Sequence, residues 1–277
     1  MTREPITMAQ RQRNVRRVLI AGATVATLWI LFPLYFLLIN AWSSPEAVNA
    51  FPKSLVPEMD SGSLQFLMSF DGMLDALYNS LWVAVMTMVI SITVGAPAGY
   101  ALARFEFRGK GTFRMLIMLT RAFPLPLLAL PLAVLFIRIG LDDSLFGLAL
   151  VHTMLALPFA VLITFSLFSG IPVELEEAAW VFGCNRLQAF IRVVMPLALP
   201  GIMASAVFAF IISWNEVFAS AVLTIQNRTL TAFLLQSLDY SPQHLKFAGG
   251  FLLVVPAAIF MFLIRKQLFA MWGISNR

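Results

Sequence analysis

The chain has 277 residues, of which 60% are hydrophobic and only 12% are charged, and its formal net charge is +5. Soluble domains carry about twice that share of charged residues, so the composition excludes an ordinary soluble protein and a disordered one. A single cysteine and two histidines exclude a disulfide framework and a Cys/His metal site. The basic residues form no run interleaved with aromatics, which excludes the usual nucleic-acid-binding pattern.

Six mainly apolar runs follow one another along the chain, each long enough for a membrane-spanning helix of about 20 residues. They cover residues 18–41, 77–101, 113–137, 145–169, 197–221 and 247–270. Prolines interrupt the third and fourth runs, which predicts kinked helices or, alternatively, kinks that shape a translocation pathway. The sequence therefore predicts an all-α membrane protein with one six-helix domain over 18–270, an N-terminal tail over 1–17 and a C-terminal tail over 271–277.

Positive charges are distributed unevenly between the two sides of this predicted domain. With the N-terminus inside, 14 of the 19 Lys and Arg residues fall in inner segments and 4 in outer segments, while Arg121 lies within the third span. Cytoplasmic loops carry the excess of Lys and Arg in multi-pass membrane proteins. We therefore expect both termini, and the segment between the fourth and fifth spans, to lie in the cytoplasm.

That inner segment, residues 171–194, has the pattern of two short helices. Pro172 suits a first helical turn, and three glutamates follow it where the helix dipole favours anions. Apolar residues recur at helical spacing on one face: Leu175, Ala178, Ala179 and Phe182. The segment is either an amphipathic helix on the membrane surface or a knob for a cytoplasmic partner, because the adjacent alanines permit close approach and Glu177 can pair with a basic residue.

Three residues mark the boundaries of these short helices. Gly183 can end the first one, since glycine readily adopts the left-handed conformation found after helix ends. Asn185 can cap a second helix that runs through Val194. Pro196 then marks the start of the fifth span.

The same segment resembles the EAA signature of ABC importer permeases, which reads E-A-A, three residues, G, nine residues and I-x-L-P. The matching residues are Glu177-Ala178-Ala179, Gly183 and Val193-x-Met195-Pro196. Phe182 stands where the family often has Asp. Other stretches are similar to the carbohydrate-uptake branch and its shorter, six-span permease of the maltose-transporter type: residues 31–35, 79–81, 99–109 and 214–216.

The resemblance implies a multi-pass permease subunit of a bacterial inner membrane that is not an enzyme and binds no cofactor or metal itself. The sequence has no Walker A glycine loop, so ATP and Mg are expected in two partner ATPase subunits. A second permease would complete a heterodimer in the lipid bilayer, and an extracytoplasmic solute-binding protein would deliver a carbohydrate or polyol. The implied ATPase-docking residues, on a cytoplasmic coupling helix, are Glu177, Ala178, Ala179, Gly183, Leu175, Phe182 and Pro196.

Ionisable residues in apolar runs are costly in lipid, which makes Arg121 and Glu216 candidates for the substrate pathway. Glu216 follows Trp214 and Asn215 near the outer end of the fifth span, where the three could hydrogen-bond to or stack on a sugar. Asn79, at the outer end of the second span, is a further candidate. Structural roles stay open for all of them: interfacial or packing contacts, snorkelling of Arg121, and a helix cap at Asn79.

Two alternative functions also stay open. The first is an ABC permease for another solute class, such as an amino acid or a phosphate ester. The second is an ion-coupled secondary transporter, a class that commonly has internal repeats and intramembrane carboxylates. Glu216 is the one candidate for such a carboxylate.

Overall fold

A computed structural model describes the backbone of residues 8–271 and the side chains of residues 12–265. Over these residues the chain is helical and contains no β-strand. Its α-helices are α1 (Met8–Ala41), α2 (Pro45–Asn49), α3 (Gly62–Met68), α4 (Met73–Arg104), α5 (Lys110–Leu119), α6 (Leu125–Ile139), α7 (Leu145–Ser169), α8 (Glu174–Val181), α9 (Arg186–Ala189), α10 (Met195–Asn215), α11 (Phe218–Leu223), α12 (Leu230–Leu238) and α13 (Gln243–Met271).

Five helical stretches of the described chain are long and apolar enough to cross a membrane, and they contain α1, α4, α7, α10 and α13. The predicted third span over 113–137 is instead a broken pair, in which residues 110–122 and 125–139 meet at 86°. Pro124 disfavours helical conformation in Phe123, whose backbone is extended, and Pro126 lies in the first turn of α6, where its missing N–H is tolerated. The two prolines therefore produce a break rather than a kink.

The first and last spans agree closely with the predicted apolar runs, whereas the tails agree less closely with the predicted tails. Helix α1 begins at Met8, so the predicted tail over 1–17 is partly helical. Helix α13 covers the predicted run over 247–270. The predicted C-terminal tail over 271–277 lies outside the described residues beyond Met271.

The fifth span differs from its prediction over 197–221 at both ends. At its start, the expected separate helix to Val194 is continuous with α10, so that one helical stretch runs from Arg186 to Asn215. Residues 190–194 form a π-helical turn immediately before Pro196, and this wider turn accommodates the proline ring. At its other end, Glu216 is extended, and its carboxylate accepts hydrogen bonds from the first N–H groups of α11.

The contacts divide the chain into two compact units. The smaller unit comprises residues up to Ser69 together with 240–252. Aromatic rings pack edge to face between its helices. The ring centres of Phe36 and Phe247 are 5.8 Å apart, and those of Trp42 and Phe251 are 6.1 Å apart. Leu37 approaches Gly250, where a side chain would collide with it.

The larger unit comprises residues 70–239 together with those from 253 onward, and its core is formed by α4, α7 and α10. One cluster of buried residues lies near the α4 start and includes Val83, Phe136 and Leu148. A second cluster lies near the α4 end and includes Phe168 and Ile202.

Two glycines of α4 allow close contact with α7. A side chain on Gly95 would lie 2.8 Å from the Ala160 side chain, and one on Gly99 would lie 2.7 Å from the backbone nitrogen of Phe165. The Thr164 hydroxyl donates a 3.0 Å hydrogen bond to the Gly95 carbonyl across this contact. Small residues at four-residue spacing are typical of close helix packing in membranes.

We expect Gly99→Ala to push α4 away from α7, because the new methyl group would collide with backbone atoms that cannot move aside. Overpacking of this kind costs about 1–3 kcal/mol, which should lower the thermal unfolding temperature of the purified protein in detergent. Gly111→Ala is the matched control, since a side chain there meets nothing within 4 Å. Equal unfolding temperatures for the two variants would contradict the close-packing interpretation.

Candidate functional site

Helix α8 has one side turned into the chain and one side turned outward. Glu176 and Ala179 are buried, whereas Leu175, Ala178 and Phe182 are exposed. Of the predicted apolar face, therefore, only Ala179 packs inward. The exposed side is apolar, with the small Ala178 between the larger Leu175 and Phe182, and Glu177 lies exposed beside it.

The buried side of α8 is held by an ion pair with the end of α4. The Arg104 guanidinium donates through Nε to Glu176, with 9% and 2% of the two side chains exposed. The Tyr100 hydroxyl donates a 2.6 Å hydrogen bond to the other oxygen of the Glu176 carboxylate. The remaining donors of Arg104 reach the carbonyls of Phe168 at 2.8 Å and Ile171 at 3.0 Å, where α7 ends. One guanidinium therefore joins three helix ends.

Both predicted boundaries of α8 and α9 are confirmed in the backbone. Gly183 has φ of +88°, and its Cβ position is open, so the residue serves the turn and not a packing contact. The Asn185 side chain accepts from the Gln188 N–H, while the Gln188 side chain accepts from the Asn185 N–H. This capping box fixes the start of α9 directly after the turn. Pro196 lies exposed in the first turn of α10.

A second polar cluster lies at the opposite end of α10. His152 of α7 is fully buried, and its Nδ1 lies 2.8 Å from the Ser213 hydroxyl. Its Nε2 lies 3.2 Å from a carboxylate oxygen of Glu216. The same carboxylate accepts N–H groups of Phe218 and Ala219. Glu216 therefore joins α7, α10 and α11 and is part-buried rather than free in a span.

The other residues predicted for the substrate pathway differ in their exposure and in their hydrogen-bond partners. Trp214 is buried, stacks on Phe210 with the ring planes 11° apart, and donates its indole N–H to Leu253. Asn79 is buried and donates to the Arg228 carbonyl at 3.2 Å. Asn215 is exposed.

Arg121 lies apart from these residues, in the short 3-10 turn before the break between α5 and α6. It is exposed, and its guanidinium carbon lies 3.7 Å from the centre of the Phe159 ring. The cation–π contact partly compensates the charge. The break beside it leaves backbone groups that lipid cannot satisfy.

The Asp143 side chain joins the loop before α7 to the loop after α11. The Asp143 carboxylate accepts backbone N–H groups of Ile225, Gln226 and Asn227 at 2.8–3.2 Å. Partial burial alone would raise the pKa of Asp143. The three N–H groups and the nearby charge of Arg228 outweigh that effect and hold the pKa below its ordinary value.

The ion pair of Arg104 and Glu176 is the feature of this region that the sequence pattern did not reveal. In the sequence, Glu176 is one of three acids in a first helical turn. Arg104 is one of the positive charges assigned to the inner side. Two signals were available in the sequence. Arg104 is a charge at the end of an apolar span, and Glu176 is an acid three residues before Ala179 on the helix. Neither signal names the partner, because the two residues are 72 positions apart.

Among the described residues, no group of three His, Cys, Asp or Glu side chains could hold a metal ion. The constellation around Glu176 consists of an ion pair and hydrogen bonds, and that around Glu216 consists of polar contacts and hydrogen bonds, all within the chain. They can transmit force and present polar groups.

Comparison with known proteins adds three findings. A family profile described as "Binding-protein-dependent transport system inner membrane component" matches residues 92–270. The trehalose transport system permease protein SugB of Mycobacterium tuberculosis is 34% identical over 201 residues, covering 70% of this chain and 73% of SugB. The diacetylchitobiose uptake system permease protein DasC of Streptomyces coelicolor is 31% identical over 195 residues, covering 70% and 71%.

The fold also has a close structural match. A chain from a bacterial ABC transporter involved in the import of the acidic polysaccharide alginate superimposes with a TM-score of 0.76. The sequence identity is 22%, and the superposition covers 95% of this chain and 99% of that chain.

Proposed function

Because the chain belongs to the family of binding-protein-dependent transport system inner membrane components, we propose that it is the permease subunit through which an ABC importer moves a carbohydrate or polyol into the cytoplasm. Family membership and the apolar helices make it a multi-pass inner-membrane protein and a transport subunit. The observation that carries the carbohydrate assignment is its similarity to permeases named for trehalose and diacetylchitobiose.

Family members of this kind act with an ATPase and a solute-binding protein. Two ATPase subunits would bind ATP and Mg, and this chain would bind neither. A second permease would complete a heterodimer. In support of that partner, the most apolar stretch of α1 has 6% of its residues buried within the chain, against 56% for α7. Such a surface requires lipid or another protein against it.

The proposed topology has both termini and α8 in the cytoplasm. The excess of Lys and Arg on that side supports it. The placement of Arg104 and Arg186 at neighbouring helix ends beside α8 agrees with the same rule.

The exposed side of α8 is the proposed docking surface for the ATPase, formed by Leu175, Ala178 and Phe182 with Glu177 beside them. An amphipathic helix of this kind seats in a groove through apolar anchors at helical spacing. Ala179 supports the helix from behind, Gly183 supplies the turn, and Pro196 lies at the start of α10. The residues implied by the resemblance thus divide into contact and support roles.

The ion pair behind α8 would carry the movement of the ATPases into the membrane. Because Arg104 holds α8 to the ends of α4 and α7, a displacement of α8 cannot occur without displacing those helices or breaking the pair. Alternating access requires an element with different contacts in two states. We assign that role to α8 together with its Arg104 anchor.

The pathway for the solute would involve the residues with exposed or part-exposed polar atoms, namely Asn215, Glu216 and Arg121. Trp214 and Asn79 are engaged within the chain and would act by holding α10 and the 228–231 segment in place. Irregular backbone at membrane depth is tolerated where it lines a water-filled cavity. The break beside Arg121 therefore favours the solute path over a lipid-facing position.

Vesicles containing the assembled importer should take up labelled trehalose or diacetylchitobiose only with ATP inside and the binding protein outside. Vesicles lacking the binding protein serve as the control. Uptake driven by an ion gradient without ATP would indicate a secondary transporter instead. Uptake of an amino acid but no sugar would overturn the carbohydrate assignment.

Enlarging the exposed side of α8 should release the ATPase. Ala178→Trp would overfill the groove, and Glu177→Lys would introduce like charges if the facing groove is basic, which costs several kcal/mol. We expect ATPase retention during purification to fall at least about tenfold, which corresponds to about 1.4 kcal/mol. Ile225→Trp, a change at an exposed apolar residue beyond the other end of α10, is the control. Full retention by both α8 variants would refute the docking role.

Weakening the ion pair should separate ATP hydrolysis from transport. Glu176→Gln keeps the shape but removes the charge opposite Arg104, and a weakened charged hydrogen bond costs about 1.5–3 kcal/mol. The ratio of solute taken up to ATP hydrolysed should fall, while ATPase retention stays normal. Tyr100→Phe should produce a smaller change in the same direction.

Glu174→Gln, at an exposed residue of the same helix, is the matched control for that ratio. A fall in uptake that merely parallels a loss of assembled complex would leave the pair with a folding role only.

A further inference from the structure

A cavity of about 640 Å³ lies between the end of α4, the buried side of α8 and the start of α9. Its volume is within the range of small-ligand sites. The apolar part of its wall is formed by Pro97, Ala103, Phe105, Val173, Leu187 and Phe190. All of this wall belongs to the larger unit of the chain.

Most charged groups of the wall already have partners. Arg104 and Glu176 neutralise each other, and the other Arg104 donors reach backbone carbonyls. Glu106 lies 2.7 Å from Lys110. These groups therefore add no net charge that a ligand would meet.

Arg186 and Trp180 are different. Arg186 lies over the Trp180 ring, with its guanidinium carbon 5.0 Å from the ring centre, and no carboxylate of the described residues forms an ion pair with it. The indole Nε1 of Trp180 is buried and has no hydrogen-bond partner among the described residues. A buried donor without an acceptor costs about 1–3 kcal/mol. The cavity is thus lined by an arginine without an ionic partner and by a tryptophan whose indole N–H has no acceptor, beside apolar walls.

The depth of the cavity follows from helix length. Helix α4 has 32 residues, and the helical stretch that begins at Arg186 has 30. At 1.5 Å per residue these measure about 48 and 45 Å, whereas the hydrocarbon layer is about 30 Å thick. Each helix is therefore longer than the hydrocarbon layer is thick, and on the proposed topology the ends that carry Arg104 and Arg186 lie on its cytoplasmic side.

The cavity is distinct from the proposed docking surface. Val173, Glu176 and Trp180 line it from α8, whereas Leu175, Ala178 and Phe182 point outward on the other side of the helix. An ATPase seated on the exposed side would therefore contact the side of α8 opposite to the cavity.

We propose that this cavity binds the headgroup of an anionic phospholipid, with Arg186 pairing with the phosphate and Trp180 Nε1 donating to a phosphate oxygen. The apolar walls suit the first carbons of the acyl chains. Basic pockets between membrane helices on the cytoplasmic side are typical binding sites for anionic headgroups. The assignment to the cytoplasmic leaflet rests on the proposed topology, whereas the binding chemistry does not.

The test uses the assembled transporter in nanodiscs of phosphatidylcholine, with or without phosphatidylglycerol. Phosphatidylglycerol retained after transfer to detergent is measured by native mass spectrometry. Arg186→Gln should weaken retention about fivefold, the equivalent of the ~1 kcal/mol that a basic residue contributes near anionic lipid. Trp180→Phe keeps the ring under Arg186 and removes the donor, so it should weaken retention too. Arg186→Lys should retain most of the binding.

Arg192→Gln is the matched control, because Arg192 is exposed on the same helical stretch and does not line the cavity. Equal loss of lipid from the Arg186→Gln and Arg192→Gln variants would reduce the effect to general surface charge and overturn the proposal. Displacement of the lipid by soluble glycerol phosphate at equal concentration would assign the site to a free phosphate instead.

A loss of ATPase subunits without a change in bound lipid would assign the cavity to the partner protein and overturn the proposal. Lipid retention is measured without transport, so its failure is distinguishable from failure of the proposed importer function.

Discussion

The ion pair between Arg104 and Glu176 is the interaction on which the end of the larger unit around α8 depends. Both side chains are nearly excluded from water, and such burial is favourable only if every donor and lone pair finds a partner. Here the carboxylate also accepts from Tyr100, and the guanidinium also donates to two carbonyls where α7 ends. Those carbonyls lie at the negative end of the helix dipole, which adds to the stabilisation of the cation.

Because of this ion pair, the side chains of two adjacent glutamates point in different directions. Glu176 and Glu177 follow each other in α8, and consecutive residues on a helix are about 100° apart. Glu176 therefore turns inward to Arg104, and Glu177 turns outward with Ala178. A helix anchored by a charge on one side can present an apolar surface on the other without sinking into the membrane. This arrangement explains how α8 keeps an apolar side exposed, as the proposed docking role requires.

Features set by local chemistry were predictable from the sequence, and features set by distant contacts were not. The turn at Gly183 and the cap at Asn185 depend on residues within one helical turn, and both were confirmed. Pro124 and Pro126 predicted an interruption of the third span. The angle of 86° between residues 110–122 and α6, in contrast, depends on how α6 packs against α11 and other helices. The end of the fifth span at Asn215 depends on Glu216, whose side-chain neighbour His152 lies on another helix, 3.2 Å away. The sequence did not reveal the partner of Glu176 for the same reason, because Arg104 lies on a different helix.

A single helical stretch links the two polar constellations of the larger unit. It begins at Arg186, one turn after α8, and ends at Asn215, beside the cluster of His152 and Glu216. At 1.5 Å per residue its 30 residues measure about 45 Å, and its central turns are among the most buried of the chain. Unless the helix bends, a displacement of α8 that tilts its start therefore also shifts its far end, because a well-packed helix moves as a unit. The π-helical turn at residues 190–194 and Pro200 both interrupt the regular hydrogen bonding of this stretch, so any bending would be concentrated in its first half, nearer to α8 than to the cluster of His152 and Glu216.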